Sequence, residues 1–502
     1  MELKKILVGL EGLKAKGSLD VKVKKIEINS KNIAEGDMFI AIKGYETDGH
    51  KYIDDAIQNG AKVIMIEDGF DLKKLKLTED ITLIVTADTR YSASICACNF
   101  YGNPSKKLKV IGITGTKGKT TTSFMIKSIL ENQGKKVGLI GTIAIYIGDK
   151  KITDSDRTTP DSIELQKTLA QMVKEDVEVV IMEVSSQSLK LDRVTGTEFY
   201  IGAFTNFSKD HISEKEHPDM DDYFDSKLKL FTMCKNGFLN ADNVHCMKAK
   251  KVITDCEVKT YGIDNNCDLL AKDITITNQT VDFKVKIGQR NERIKVGIPG
   301  RFSIYNTLLA IAISQKFGGT ADDIRNSLLE IKVPGRSEVV PNKRELPIMI
   351  DYAHSPDSLQ NILSAVKTYT RGRVILVFGC GGDRDTSKRA VMGEIAGKTA
   401  QYTIITSDNP RTEEPKKIVE QVEEGIKKTN GKYICIVDRT EAIKHAIEIA
   451  NKNDLILLCG KGHETYQEIN GEKHPYDERD IIEKVIDELE KQPKPSKKKK
   501  KK

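Results

Sequence analysis

The 502-residue chain has no tryptophan, and only 6% of its residues are aromatic. It has no apolar run near the roughly 20 residues that a membrane-spanning helix needs. The N-terminal stretch MELKKILVGLEGLKAKG carries basic residues but only a brief apolar stretch, broken by Glu11, and no cleavage site. The core of a signal peptide is therefore missing. The nine cysteines are odd in number and scattered; only Cys96 and Cys98 lie close together. A C-x-C without a second pair is a poor zinc signal, and reduced core thiols suit a reducing compartment. These absences lead to the expectation of a cytoplasmic protein with no transmembrane segment.

What is present is ordinary for a folded protein: 39% hydrophobic and 30% charged residues. The formal charge of +7 misleads, because the tail KQPKPSKKKKKK alone holds eight lysines. Without them the charge falls to −1, so the body is near neutral, and the tail (491–502) reads as a disordered, solvated run. A near-neutral body with no interleaved basic and aromatic patch argues against nucleic-acid binding.

The length suggests about three domains. Residues 1–105 mix short strands and helices. VKKIEINSKNIAEGDMFIAI alternates apolar and polar residues around a Gly36-Asp37 turn, as strands do, and YIDDAIQNGAKVIMIED reads helix, glycine stop, strand. YGNPSKKLK reads as a linker. In 106–333, the strand LKVIGIT feeds a glycine turn and the helix TTTSFMIKSILENQG, followed by the apolar strands KVGLIGT, VEVVIMEVSS and FYIGAFTNFS. Residues 334–490 repeat the rhythm with VILVFGC, YTIITSD, YICIVD and DLILLCGKG. Strands alternating with helices predict α/β domains with parallel sheets, the last of them doubly wound.

Gly115-Thr116-Lys117-Gly118-Lys119-Thr120 lies between a predicted strand and helix. Glycines let backbone N–H groups wrap phosphate oxygens, and the helix N-terminus adds positive potential. Lys119 suits the β/γ-phosphates and the Thr120 hydroxyl suits magnesium. The strict G-x-x-x-x-G-K-[ST] pattern is not met, since position 113 is Ile. Glu183 ends the strand VVIMEV at the edge where α/β sheets place ligands, and a carboxylate there suits a hard cation.

GTKGKTTT after an apolar strand resembles the ATP loop of the Mur ligases, the cytoplasmic enzymes that build the peptide stem of peptidoglycan. Folylpolyglutamate synthetase is a relative, so the loop alone does not choose between them. The resemblance extends over nearly the whole chain, to about residue 488. It implies a small N-terminal α/β uridine-binding domain, a central P-loop-type ATPase domain with a parallel sheet, and a C-terminal Rossmann-like domain that takes the amino acid. By resemblance the ATP loop also includes Thr121, and EVSS is the metal-binding segment around Glu183. In TNFSKDHISEKEHPDMDDYFDSKLKLF, His211 would lie near the metal and Lys227 falls where the family carries a carbamylated lysine, although a surface lysine is the ordinary reading of any Lys in a helix. Thr158, Thr159, Ser185 and Arg193 would bind the UDP-muramoyl-peptide. Leu191 stands where some relatives have glutamine, so no polar role is carried there. Ser30 would meet the uridine moiety. Asn306 in FSIYN, Arg336 in VPGRSEVV, and Asp351 and His354 in IDYAHSP would contact the nucleotide.

The most discriminating words are CGGDRD, SDNPR and GKGHE, each just after a predicted strand. Arg384 and Arg411 suit bidentate carboxylate binding, and Glu464 suits an ammonium group. In the family D-N-P-R accompanies meso-diaminopimelate, with Arg411 reading the distal carboxylate; Asp408, Asn409, Pro410 and Gly460 complete that site. The implied reaction is an ATP-dependent ligation that adds meso-diaminopimelate to UDP-N-acetylmuramoyl-L-alanyl-D-glutamate through an acyl phosphate. Two magnesium ions are implied, held by Thr120 and Glu183 and by His211 and carbamylated Lys227. Domain closure would bring the acceptor to the phosphate loop, and a monomer is expected. L-lysine as acceptor is the alternative within the family, and Arg411 argues against it. A folylpolyglutamate synthetase would lack both the uridine domain and D-N-P-R.

Overall fold

The computed structural model describes residues 1–45, 47–71, 77–210, 212–213, 216–277 and 279–491. The architecture is α/β with three principal sheets. Compactness divides the chain into two units: 1–271 with 285–292 and 305–327, and 272–284 with 293–304 and the chain from 328 onward. The first two sheets lie in the first unit and the third in the second.

The N-terminal sheet runs, in spatial order, Lys14–Lys16, Thr82–Thr86, Val63–Glu67, Met38–Ile40 and Ile26–Glu27, all parallel except the first. Its strands are shorter than the alternation around Gly36 suggests. Between Glu27 and Met38 the backbone is held by local side chains instead of a ladder. The Asn29 side-chain oxygen Oδ1 accepts from Lys31 N, and the Asp37 carboxylate accepts from Ala34 N. Such Asx contacts compete with strand pairing, and Ser30 consequently starts a short 3₁₀ turn, Ser30–Asn32.

The central sheet has nine strands. From one edge they are Leu269–Leu270, Glu257–Gly262, Cys234–Asn240, Phe199–Phe204, Lys109–Thr114, Val179–Glu183, Val137–Ile140, Ala144–Ile147 and Lys150–Asp154. The last two are antiparallel additions; the rest are parallel. Lys109–Thr114, Val179–Glu183 and Phe199–Phe204 are apolar runs buried almost throughout. That is the signature of strands covered on both faces. The chain leaves Lys109–Thr114 in one direction and later returns to pair on its other side, so the switch point of the sheet lies at its carboxyl edge.

The C-terminal sheet runs Glu338–Val339, Ile348–Asp351, Leu455–Cys459, Val374–Phe378, Tyr402–Ile405 and Tyr433–Cys435, parallel but for the first strand. Helices cover both faces, giving two cores, one around Leu376 and Phe378 and one around Ile375 and Val377. Alternate residues of one strand thus feed opposite layers. Among the described residues no helix is long and apolar enough to cross a membrane.

Candidate active site

Strand Lys109–Thr114 ends in the turn Gly115–Gly118, and helix Lys119–Asn132 follows. Gly115 and Gly118 take positive φ values of 140° and 86°. A Cβ on Gly115 would collide with the Thr205 hydroxyl, and one on Gly118 with the Asn306 amide oxygen. Only glycine suits both constraints. The turn is braced by residues at the end of the neighbouring strand: Thr205 Oγ1 and Asn206 Nδ2 donate to Lys117 O, and Lys117 N donates to Asn206 Oδ1. Lys119 Nζ curls back onto the Gly115 and Thr116 carbonyls at 2.8 and 3.1 Å. Thr121 is buried in the first helical turn.

Glu183 is only 1% exposed. Its carboxylate accepts from Thr120 Oγ1 at 2.9 Å, and from Thr142 N and Oγ1 at 3.0 Å each. The backbone carbonyl of Glu183 accepts from Thr159 Oγ1, whose oxygen in turn accepts from Ser185 N. Thr158 meets Thr142 hydroxyl to hydroxyl. A carboxylate beside a hydroxyl is a hard oxygen set, and Thr120 with Glu183 fits magnesium.

Lys227, 1% exposed, donates to Gly115 O at 3.2 Å and lies over the Tyr223 ring. Burial, and then the nearby Lys119 ammonium, push its amine well below the ordinary lysine range. Two amines converge on one carbonyl here, so an unmodified Lys227 does not fit a second cation, whereas a carbamate on it would. His211 lies outside the described residues, and among those residues no group of three or more His, Cys, Asp or Glu gathers to hold a metal.

Gly115, Lys119 and Lys227 line a cavity of about 260 Å³ together with Thr158, Thr159, Ser185 and Arg193. Arg157, Gln187, Arg193 and Glu216 are shared with a second cleft of about 850 Å³, which reaches Ser30 in the N-terminal sheet region. Arg193 is oriented by Asp161 at 3.1 Å. His217, fully buried, bridges Asp222 and Ser186 at 2.6 and 2.9 Å, tying its loop to the segment that lines the cavity.

In the second unit three strand ends meet. Asn409 Nδ2 donates to Glu464 Oε2 at 2.8 Å, and its Oδ1 accepts from Lys461 Nζ and Glu468 N at 3.0 Å each. Gly460, at φ 113°, packs so closely on the Asp408 carboxylate that no side chain fits. The Pro410 carbonyl lies against Gly382, whose N–H donates to Asn409 O. Arg411 has a left-handed backbone, φ 51°, held because its N–H donates to Glu468 O and its carbonyl accepts from Asn470 N. Its guanidinium bonds Glu468 and the Gly382 carbonyl at 2.9 and 2.7 Å. Arg384 is exposed, and its Cγ and the Arg411 guanidinium both face Gly381. Beneath that loop the fully buried Arg389 joins Glu413, Gln421 and Gly381 O. Arg336 stacks over Tyr352, and the Gly335 turn abuts Gly462. Asp351 accepts from Ser337 N and Ala353 N, and His354 Nδ1 meets Tyr352 O.

Sequence reading missed Thr142, Thr205, Asn206, Gln187, Lys461 and Glu468. Thr205 and Asn206 stand in the segment TNFS, and Lys461 in GKGHE, so their positions at strand ends were a usable signal. Thr142 closes the apolar run KVGLIGT and carried the same signal, whereas Glu468 had none.

Three family profiles match the chain: Mur ligase family, catalytic domain, at 22–95; Mur ligase middle domain at 113–314; and Mur ligase, glutamate ligase domain, at 335–462. A Clostridium botulinum protein, UDP-N-acetylmuramoyl-L-alanyl-D-glutamate--2,6-diaminopimelate ligase, is 46% identical over 470 residues, 93% of this chain and 96% of its own. A solved structure of a ligase of that name superposes with a TM-score of 0.70 at 28% identity, covering 98% of this chain and 100% of the other. The Mycobacterium tuberculosis folylpolyglutamate synthase structure complexed with ADP and AMPPCP reaches a TM-score of 0.59 at 16% identity and shares the fold over 74% of this chain and 92% of its own. Matches in all three regions, and identity sustained along the chain, make it a member of the Mur ligase family.

Proposed function

We propose that this Mur ligase joins meso-2,6-diaminopimelate to UDP-N-acetylmuramoyl-L-alanyl-D-glutamate at the expense of ATP, in the cytoplasm. The observation that carries the reading is the shared cavity: the phosphate-loop groups Gly115 and Lys119 face the same space as Thr158, Thr159, Ser185 and Arg193. A carboxylate bound by the second set lies where a phosphoryl group held by the first can reach it.

In this reading the γ-phosphoryl group passes to the D-glutamate γ-carboxylate, giving an acyl phosphate and ADP. The diaminopimelate amine attacks the acyl carbon, and phosphate leaves from the tetrahedral intermediate. Catalysis of this kind is mostly positioning and charge neutralisation. The N–H groups of the loop and the Lys119 ammonium would hold the phosphates. Arg193 would hold an anionic group of the precursor, and Ser30 the uridine end. When bound, magnesium would neutralise phosphoryl oxygens, with Thr120 and Glu183 as its ligands. A second ion would take Lys227 as a carbamate, and the depressed basicity of that amine favours the neutral form that reacts with carbon dioxide. Asn306, Arg336, Asp351 and His354 are the remaining nucleotide contacts of the proposal. The name of the Clostridium botulinum relative and the D-N-P-R segment ending in Arg411 both favour diaminopimelate as acceptor.

Phosphate release with ATP, magnesium and the UDP-dipeptide, measured in parallel with meso-diaminopimelate and with L-lysine, tests this. Turnover with diaminopimelate alone is expected. Turnover with lysine alone would overturn the acceptor assignment and leave the ligase intact.

A further inference from the structure

We propose that Lys461 is a positioning residue for the incoming amino acid, locking Asn409 and Glu464 into the orientation in which they meet it. The inference rests on the reading above that those two residues form the acceptor site. Lys461 is fully buried, and its ammonium contacts Asn409 Oδ1 at 3.0 Å and Glu464 Oε2 at 3.2 Å, with the Tyr466 ring 5.7 Å away. A buried ammonium is costly unless such partners compensate it. The position therefore defines where both partners must stand.

Asn409 shows the consequence most directly. It is 3% exposed, and its amide has one consistent orientation. The oxygen end takes two donors, Lys461 Nζ and Glu468 N, while the nitrogen end gives its proton to Glu464 Oε2. Turning the amide over would set N–H against the Lys461 ammonium and an oxygen against the Glu464 carboxylate. Lys461 thus fixes the amide, and the amide and Lys461 together fix the carboxylate from two directions. Glu464 also reaches the acceptor site with its charge already balanced. The site then recognises an ammonium group by geometry more than by net negative charge.

The chain folds this arrangement locally. Lys461 directly follows Gly460 at the end of strand Leu455–Cys459, and Glu464 N donates back to Lys461 O, so the two charged residues are presented by one turn. Asn409 arrives from another strand end, 52 residues away in sequence.

The test is steady-state phosphate release by the full-length enzyme, varying each substrate in turn, for Lys461→Met and Lys461→Gln. We expect Lys461→Met to raise the KM of the acceptor by about tenfold or more, with the KM values for ATP and the UDP-dipeptide within about twofold of the parent. Lys461→Gln keeps an N–H donor, so it should show a smaller rise of the same kind. It also carries the test if the methionine variant melts below assay temperature. A purely structural lysine would lower the active fraction and leave all three KM values unchanged, and that outcome would overturn the proposal. So would a parallel rise in all three. The parent enzyme separates the two levels: turnover with neither diaminopimelate nor lysine defeats the acceptor reading and this inference with it, whereas normal parent turnover with unaltered acceptor KM in both variants defeats Lys461 alone.

Discussion

Around the phosphate loop polar groups are held chiefly by backbone, whereas around Asn409 they are held chiefly by side chains. Lys119 rests on two carbonyls of its own turn, and Lys117 is braced through its main-chain N–H and C=O. The cluster around Asn409 instead depends on Lys461 with Glu464, Arg411 with Glu468, and Arg389 with Glu413. Backbone cradles are set by glycine conformations over a few residues and leave the functional side chain replaceable without collapse. Side-chain frames couple chemistry to stability, because each charge removed strands another.

The largest effect should come from breaking the first arrangement at its charge. Lys119→Ala is expected to lower the ligation rate by about a thousandfold, the scale of losing a principal electrostatic contact to the reacting group. Its thermal unfolding midpoint should barely move, because the contacts of Lys119 to Gly115 O and Thr116 O are local to its own turn, and Lys227 still donates to Gly115 O. Phosphate release and a melting curve measure the two. A midpoint that falls as sharply as the rate would show that the cradle depends on the lysine as much as the frame around Asn409 depends on its ions.

Lys227 sharpens the comparison, because it is a buried amine in the backbone-held region, and its ammonium form donates to the Gly115 carbonyl. Lys227→Met should reduce ligation by about a hundredfold or more, yet stabilise the protein by about 1 kcal/mol or more at neutral pH, measured without magnesium or bicarbonate. The sign follows from its basicity. The amine titrates well below 10.5 when folded and near 10.5 when unfolded. Between those values the unfolded chain binds the extra proton, so parent stability rises with pH through that window. The methionine variant's advantage should therefore shrink as pH approaches 10.5. Urea unfolding at a series of pH values reads this out, and an advantage that grows with pH would contradict it.

The same contrast explains what was legible in the sequence. The α/β class could be read because strands such as VVIMEV and VILVF are continuous apolar runs bounded by turns, and the glycine turn before Lys119 stands in six consecutive residues. The ends of strands at which Glu183, Asp408 and Gly460 stand were readable for the same reason. Partnerships were not. Nothing in the spacing pairs Asn409 with Lys461, or Arg411 with Glu468, because sheet topology creates those meetings across more than fifty residues. The N-terminal strands read too long because Asn29 and Asp37 spend their side chains on local N–H groups, a competition that alternation does not reveal.

The smallest effect probes the frame beneath the loops around Asn409 and Arg411. Glu413 pairs with the fully buried Arg389 and also accepts from Asp383 N. The Arg389 guanidinium, chiefly through its hydrogen bonds, holds the Glu413 carboxyl down to about 2, against 4.5 ordinarily. Glu413→Gln keeps an acceptor but loses the charge, and should cost about 2 kcal/mol at pH 7, the scale of a hydrogen bond to a charged group. A carboxylate with a depressed folded pKa stabilises above its unfolded value and loses that contribution as pH falls through the folded one. The gap between parent and variant should thus be full above 4.5 and close progressively toward pH 2. Urea unfolding followed by tyrosine fluorescence, in a chain without tryptophan, measures it. A gap that persists unchanged at pH 3 would assign the loss to packing, and that frame would then be held by shape, as the phosphate loop is, and less by charge.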